Sequence, residues 1–309
     1  MIALYLLCAL LLLFLLAAWI ALRLSVIRVP AKDISDPRIL KLTHMRDAIP
    51  LVEAGKRWLK AQNPEDVWIF SRDGKRLHGL FLSHENARGT LVFFHGYRSS
   101  YAIDFSGAMD FYYSLGFNLL ICEQRAHGLS QGRCLTFGVK ERYDVQSWTN
   151  YVAAVFGEDH PVVLAGLSMG ATTVLLASNL EHAVDLRCII ADCGFTSPLE
   201  ICRHVSKNRM HLPERITVPF LALVTRLFCG FRLDECSTLD AVKETKLPIF
   251  FIHGTADDFV PCPMTEENYK ACLSEKELLL VEGAGHGLSF VLQPEEYKSR
   301  ITAFLARHI

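Results

Sequence analysis

Residues 162–177 constrain the fold more than any other part of the chain. The apolar run Val162-Val163-Leu164-Ala165 passes directly into Gly166-Leu167-Ser168-Met169-Gly170, and the helix-like Ala171-Thr172-Thr173-Val174-Leu175-Leu176-Ala177 follows. A strand that is apolar at every position is covered on both faces, as in parallel sheets flanked by helices. The switch from strand to helix takes five residues, so the turn is strained and crowded. Glycines there remove the side chains that would collide. Ser168 is left at a helix N-terminus, where partial positive charge favours a developing anion. G-x-S-x-G between a strand and a helix is the setting of a nucleophilic serine, whereas in an ordinary tight turn the serine would be passive.

The rest of the chain repeats the same unit. Residues 67–70 and 77–83, joined by Arg72-Asp73-Gly74-Lys75, read as a hairpin. Strands are expected at 90–94, 118–122, 161–165, 188–191, 248–252 and 277–281, and helices at 139–156, 169–180, 264–272 and 294–307. A hairpin followed by β-α units predicts an α/β fold: a mostly parallel eight-stranded sheet with helices on both faces. That domain spans 65–309. Residues 195–240 separate two strands by far more than the usual ~2–6 residues. Their helix-like apolar content (Ile216, Val218, Phe220, Leu221, Leu223, Val224) predicts a small helical cap inserted over the sheet edge.

Residues 2–22 carry no charge, Pro or Gly. About 20 helical residues span a bilayer core, so this run predicts a single-pass transmembrane anchor, followed by a juxtamembrane segment, 23–64. A cleaved signal would show basic residues before the run and a small-x-small exit, and Trp19 spoils the one such exit. Arg23, Arg28, Lys32, Arg38 and Lys41 follow the run, which predicts a cell-membrane protein with its domain on the cytoplasmic side. Ten cysteines include no C-x-x-C pair. Several lie in apolar runs, such as Cys122 and Cys188, so buried reduced thiols are expected. With 32 basic and 33 acidic residues, no basic excess exists to neutralise nucleic-acid phosphates.

A serine nucleophile needs a base and an orienting acid, here in the order Ser, acid, His. His253-Gly254-Thr255-Ala256-Asp257-Asp258 follows the strand at 248–252, and Gly285-His286-Gly287 follows the last strand. His286 is the expected base and Asp257 its acid. Asp192, at the end of another strand, is a second seat for the acid. Asp258 is expected to face solvent, His253 to pack at its strand end, and His127 and Arg125 to shape their own loop. The oxyanion needs two backbone N–H donors: Met169, after the nucleophile, and Tyr97, in the loop His95-Gly96-Tyr97-Arg98.

His95-Gly96, Glu123-Gln124-Arg125-Ala126-His127-Gly128, Gly166-Leu167-Ser168-Met169-Gly170, His253-Gly254-Thr255-Ala256-Asp257 and Gly285-His286-Gly287 together resemble the α/β-hydrolase superfamily over residues 65–309. Within it the chain resembles the bacterial membrane-anchored hydrolases near the serine aminopeptidase S33 and monoacylglycerol-lipase-like group. Glu123 stands where many relatives carry Asp. The resemblance implies hydrolysis of an ester, thioester or amide without cofactor or metal. A small-molecule carboxylic ester or acyl compound is the leading substrate class, and a peptide the runner-up. A non-catalytic membrane-tethered interaction module is the reading from a different class.

Overall fold

A computed structural model describes residues 1–30 and 45–309. Lys32, Arg38 and Lys41, with part of the juxtamembrane segment, lie outside the described residues.

Eight strands form one sheet. They are β1 (Glu65–Phe70), β2 (Arg76–Leu82), β3 (Thr90–Phe94), β4 (Asn118–Cys122), β5 (Pro161–Leu167), β6 (Asp185–Asp192), β7 (Ile249–Gly254) and β8 (Lys276–Val281). Their spatial order is β1-β2-β4-β3-β5-β6-β7-β8. β2 runs antiparallel to β1 and β4, and every pairing from β4 to β8 is parallel. The fold is therefore α/β, with the mostly parallel eight-stranded sheet that the hairpin and β-α pattern predicts.

β3, β4 and the middle of β5 are buried throughout. Alternate residues feed two cores: Leu91, Phe93 and Ile121 pack on one face, Val92, Phe94 and Leu120 on the other. The period of two thus persists inside a run with no polar residue to reveal it.

Between β6 and β7 come helices Pro198–His204 and Glu214–Phe228, linked through a π-helical turn, Val205–Arg209, and then helix Thr238–Glu244. Ser197 caps the first, accepting from Glu200 N, with Pro198 at the opening position. Helix Thr238–Glu244 packs on the helix that follows Ser168 and so belongs to the layer covering the sheet.

The N-terminal helix, Ile2–Ser25, divides in two. Leu4 to Leu13 expose their large apolar side chains by more than half. Ala18 and Leu22 are buried, and Phe14 meets Phe220 of the cap edge-on at 5.9 Å. Beyond the helix, Ile27 bridges Cys134 in antiparallel fashion. Arg28 donates to the carbonyls of Ser130 (2.8 Å) and Gly128. That arginine, read from sequence as a topology signal, also fastens the chain to the domain.

One expectation needs correction. Cys134 and Cys229 form a disulfide, so the reading of reduced thiols does not extend to them. Their Cα atoms stand 6.0 Å apart across 95 residues of sequence, a proximity that no local pattern announces. The other eight cysteines are free, with Cys122 and Cys188 buried.

Candidate active site

Ser168 sits between β5 and helix Met169–Ala177 with φ 57° and ψ −117°. Such a conformation costs a non-glycine residue of order 1–3 kcal/mol and persists only where its surroundings impose it. Here they do. Ser168 N donates to Asp192 O at 2.8 Å, and Thr172 N donates back to Ser168 O at 3.0 Å. A Cβ at Gly166 would overlap Gly170, and one at Gly170 would overlap the Phe94 carbonyl, so neither position admits a side chain.

Three loops at the same sheet edge meet above the serine. Ser168 Oγ lies 2.8 Å from His286 Nε2, and His286 Nδ1 lies 2.6 Å from Asp257 Oδ2. A carboxylate can only accept, so Nδ1 carries the proton and Nε2 is free to accept from the hydroxyl. The Asp257 carboxylate is held on both oxygens. Oδ1 accepts from Phe259 N and Val260 N at 2.9 Å each, and Oδ2 also accepts from His253 Nε2 at 3.1 Å. Burial pushes the Asp257 carboxyl up. The hydrogen bonds from His253 and His286 outweigh it and hold the group well below the usual carboxylate range.

The other candidates fall elsewhere. Asp192 is buried and hydrogen-bonds Ser289 Oγ at 3.3 Å, and burial raises it to about 6. Asp258 is largely exposed and ion-pairs with Arg209 at 2.6 Å. His253 does more than pack at its strand end: it is the third buttress of Asp257. Arg125 does not bond locally either. It forks onto Asp144 at 2.6 Å and reaches Asp73 at 3.1 Å, joining the loop after β4 to a helix and to the first hairpin.

The loop after β3 crosses the serine closely. A Cβ on Gly96 would stand 3.2 Å from Ser168 Cβ. Asp104 accepts from Gly96 N and Ser99 Oγ, at 2.5 Å each, and burial raises its carboxyl to about 6. His127 Nε2 accepts from Arg98 N at 3.1 Å, and burial lowers the His127 imidazole, which preserves this acceptor. The loop that carries Tyr97 is thereby fixed where Gly96 approaches Ser168. Met169 N, first in its helix, has no intrahelical acceptor by position. Tyr97 and Arg98 also hold the N-terminal helix. Tyr97 Oη donates to Ser25 O at 2.6 Å, and the Arg98 guanidinium to Leu24 O (3.0 Å), Arg23 O (2.8 Å) and Ile27 O (3.2 Å).

Two cavities meet at Ser168. The larger, of about 1140 Å³, is bounded by Ala21 and Leu24 of the N-terminal helix and by Phe195, Val218 and Leu221 of the cap segment. The smaller, of about 480 Å³, is bounded by His286, Asp104, Asp192 and Leu51. Among the described residues one trio of possible metal donors converges: Cys193, Asp257 and His286. Burial raises the Cys193 thiol, against the thiolate a metal requires, and Asp257 and His286 already bond each other.

The profile of the alpha/beta hydrolase family matches residues 91–300, more than half of the chain, and takes in Ser168, Asp257 and His286. The chain belongs to the alpha/beta hydrolase family. This hydrolase is 26% identical over 237 residues to the uncharacterized protein YqkD of Bacillus subtilis, covering 77% of each chain. It is 25% identical over 249 residues to alpha/beta hydrolase domain-containing protein 17C of Homo sapiens, covering 78% of this chain and 66% of that one. Among solved structures it is similar to the Pyrococcus furiosus esterase Pf2001, with a TM-score of 0.66 at 27% identity over 79% of this chain and 91% of that one. The hydrolase also resembles a puromycin-hydrolyzing peptidase of Mycobacterium tuberculosis, with a TM-score of 0.62 at 15% identity over 80% of this chain and 40% of that one, a likeness of fold alone.

Proposed function

We propose that this hydrolase cleaves a carboxylic ester through Ser168, His286 and Asp257. The observation that carries the reading is the continuous hydrogen-bonded line from Ser168 Oγ through His286 to Asp257, opening onto an apolar cavity. Ser168 Oγ attacks the carbonyl carbon as His286 Nε2 takes its proton. Asp257 holds the imidazole tautomer and balances the imidazolium charge. Tyr97 N–H and Met169 N–H stabilise the oxyanion. The C–O bond to the leaving group then breaks, His286 returns the proton to the departing alcohol, and an acyl-serine remains. Water, deprotonated by His286, releases the acid and restores Ser168. No step requires a cofactor.

A fluorophosphonate probe should label the purified protein at Ser168, and p-nitrophenyl esters should be turned over faster than aminoacyl amides. Absence of labelling would favour the non-catalytic tethered module, and faster amide cleavage would favour a peptidase.

The N-terminal helix is read as a membrane anchor, on its exposed apolar length and hydropathy. Arg23 and Arg28 after the span favour a cytoplasmic domain. The Cys134–Cys229 pair favours the opposite, oxidising side. Resistance to alkaline carbonate extraction tests the anchor. Protease digestion of intact cells decides the face: survival of the domain supports the cytoplasm, cleavage the exterior.

A further inference from the structure

The large cavity beside Ser168 has a wall from outside the hydrolase domain. Ala17, Ile20, Ala21, Leu24 and Ser25 of the N-terminal helix line it, opposite the cap. Ala17 and Ala21 are one turn apart on one helix face, and their small side chains leave that face open. The same helix end is tied by its carbonyls to Tyr97 and Arg98, in the loop that borders the nucleophile.

Helix length supplies an independent argument. Only the stretch up to Leu13 stands free of the domain, and the twelve helical residues from Ile2 to Leu13 reach ~18 Å. The hydrocarbon core of a bilayer is ~30 Å thick. A complete span therefore needs the stretch from Phe14 to about Ile20 at bilayer depth as well. Phe14 is packed on Phe220, so the cap must meet the membrane. Its outer face fits that position. Ile216, Leu223 and Leu227 recur at helical spacing and are 70%, 47% and 59% exposed. Exposed Arg215 and Arg226 lie in the same helix, where they can meet lipid phosphates.

We propose that the end of the N-terminal helix is a wall of the substrate chamber, and that the hydrolase draws the acyl chain of a bilayer-resident ester into that chamber from the membrane. This rests on the ester-hydrolase reading above. It adds the substrate class, a long-chain acyl lipid, and makes the anchor a determinant of specificity rather than a tether.

The test uses the full-length protein in phosphatidylcholine vesicles, with p-nitrophenyl palmitate and p-nitrophenyl butyrate as probes. Ala21→Trp fills the wall. The ratio of kcat/KM for palmitate over butyrate should fall tenfold or more relative to wild type. Leu12→Trp, on the free part of the same helix, should leave that ratio within twofold. An unchanged ratio in Ala21→Trp, with Ser168 still labelled by fluorophosphonate, overturns the proposal. So does an equal fall in Leu12→Trp. Should Ala21→Trp not accumulate, Ala17→Phe gives the same reading. A wild-type protein that is neither labelled nor active on either ester overturns the ester-hydrolase reading instead, so the two failures are distinct.

Discussion

The site and the chamber beside it meet at Ser168 but are held in place by different forces. The Ser-His-Asp line is built inside one domain, from strand ends, and its acid is gripped by several partners. Asp257 alone accepts from His286, His253, Phe259 N and Val260 N. The chamber wall is built from two distant pieces of chain, the N-terminal helix and the cap, joined by apolar contacts such as Phe14 on Phe220. Buried polar networks fail abruptly when one member goes, whereas an apolar wall changes shape by degrees. Damage to the first region should therefore abolish turnover, and damage to the second should retune it.

The largest effect should come from Ser168→Ala, which leaves His286 with no proton to take. A loss of about 10⁵–10⁶ in kcat on a short p-nitrophenyl ester is expected, as for removal of a serine nucleophile elsewhere. A loss under tenfold would put the chemistry outside this site. Next comes Asp257→Asn, which keeps the shape but favours the wrong imidazole tautomer, at a cost of about 10⁴ in rate. Asp258→Asn, which touches only Arg209 at the surface, should stay within about threefold of wild type. If Asp192→Asn proved as damaging as Asp257→Asn, the acid would have been misassigned.

Asp192 also allows a test of the buried carboxyl beside the site. Burial raises its carboxyl to about 6 in the folded protein, against an ordinary value of 3.8. Between these values the unfolded chain has released its proton and the folded chain has not, so stability from this group declines as pH rises through the window. The change is roughly 3 kcal/mol. Asp192→Asn cannot ionise, so its Tm should gain on that of wild type from pH 4 to pH 6. Parallel Tm curves would show that Asp192 is already ionised in the fold. Asp257 works in the opposite direction: its stabilisation is complete above the ordinary carboxylate value and is lost only as pH falls well below it.

A smaller loss than that of Ser168→Ala or Asp257→Asn is expected at the residue that joins the two regions. Burial raises the Tyr97 phenol to about 12, so it remains a donor to Ser25 O. Tyr97→Phe removes one hydrogen bond, worth about 1 kcal/mol. If the helix end helps position Tyr97 N–H, kcat on a short ester should fall about fivefold with KM unchanged. An unaltered kcat would mean that the two regions are neighbours without being coupled.

What the sequence reveals follows the same division. Ser168, Asp257 and His286 can be picked out because each stands within a few residues of a strand end, in a glycine-marked loop, and chain order assigns the roles. The sheet is legible because buried strands are short apolar runs. The buttresses are harder. His253 supports Asp257 at a spacing of four residues, a pattern visible only once the loop is known to fold back. Asp104 reaches Gly96 from a one-turn helix with no distinguishing motif. Arg125 bonds across 19 and 52 residues. The chamber wall and the Cys134–Cys229 bond are the least legible, since each joins segments whose local patterns are complete without the other.

That disulfide also bears on how the chamber opens. Cys229 ends the cap helix, and its partner Cys134 pairs with Ile27 just past the N-terminal helix, so this edge of the cap is sewn to the body. The opposite edge runs through a π-turn at Val205–Arg209 and through His211 at φ 53°, and there Met210 and Leu212 stand exposed at the rim of the cavity. One edge of the cap is thus fixed by a covalent bond and the other by contacts such as Arg209 on Asp258. The edge held only by side-chain contacts should move more than the stitched one, a difference that spin labels at positions 210 and 230 would read as a broader and a narrower distance distribution to the sheet.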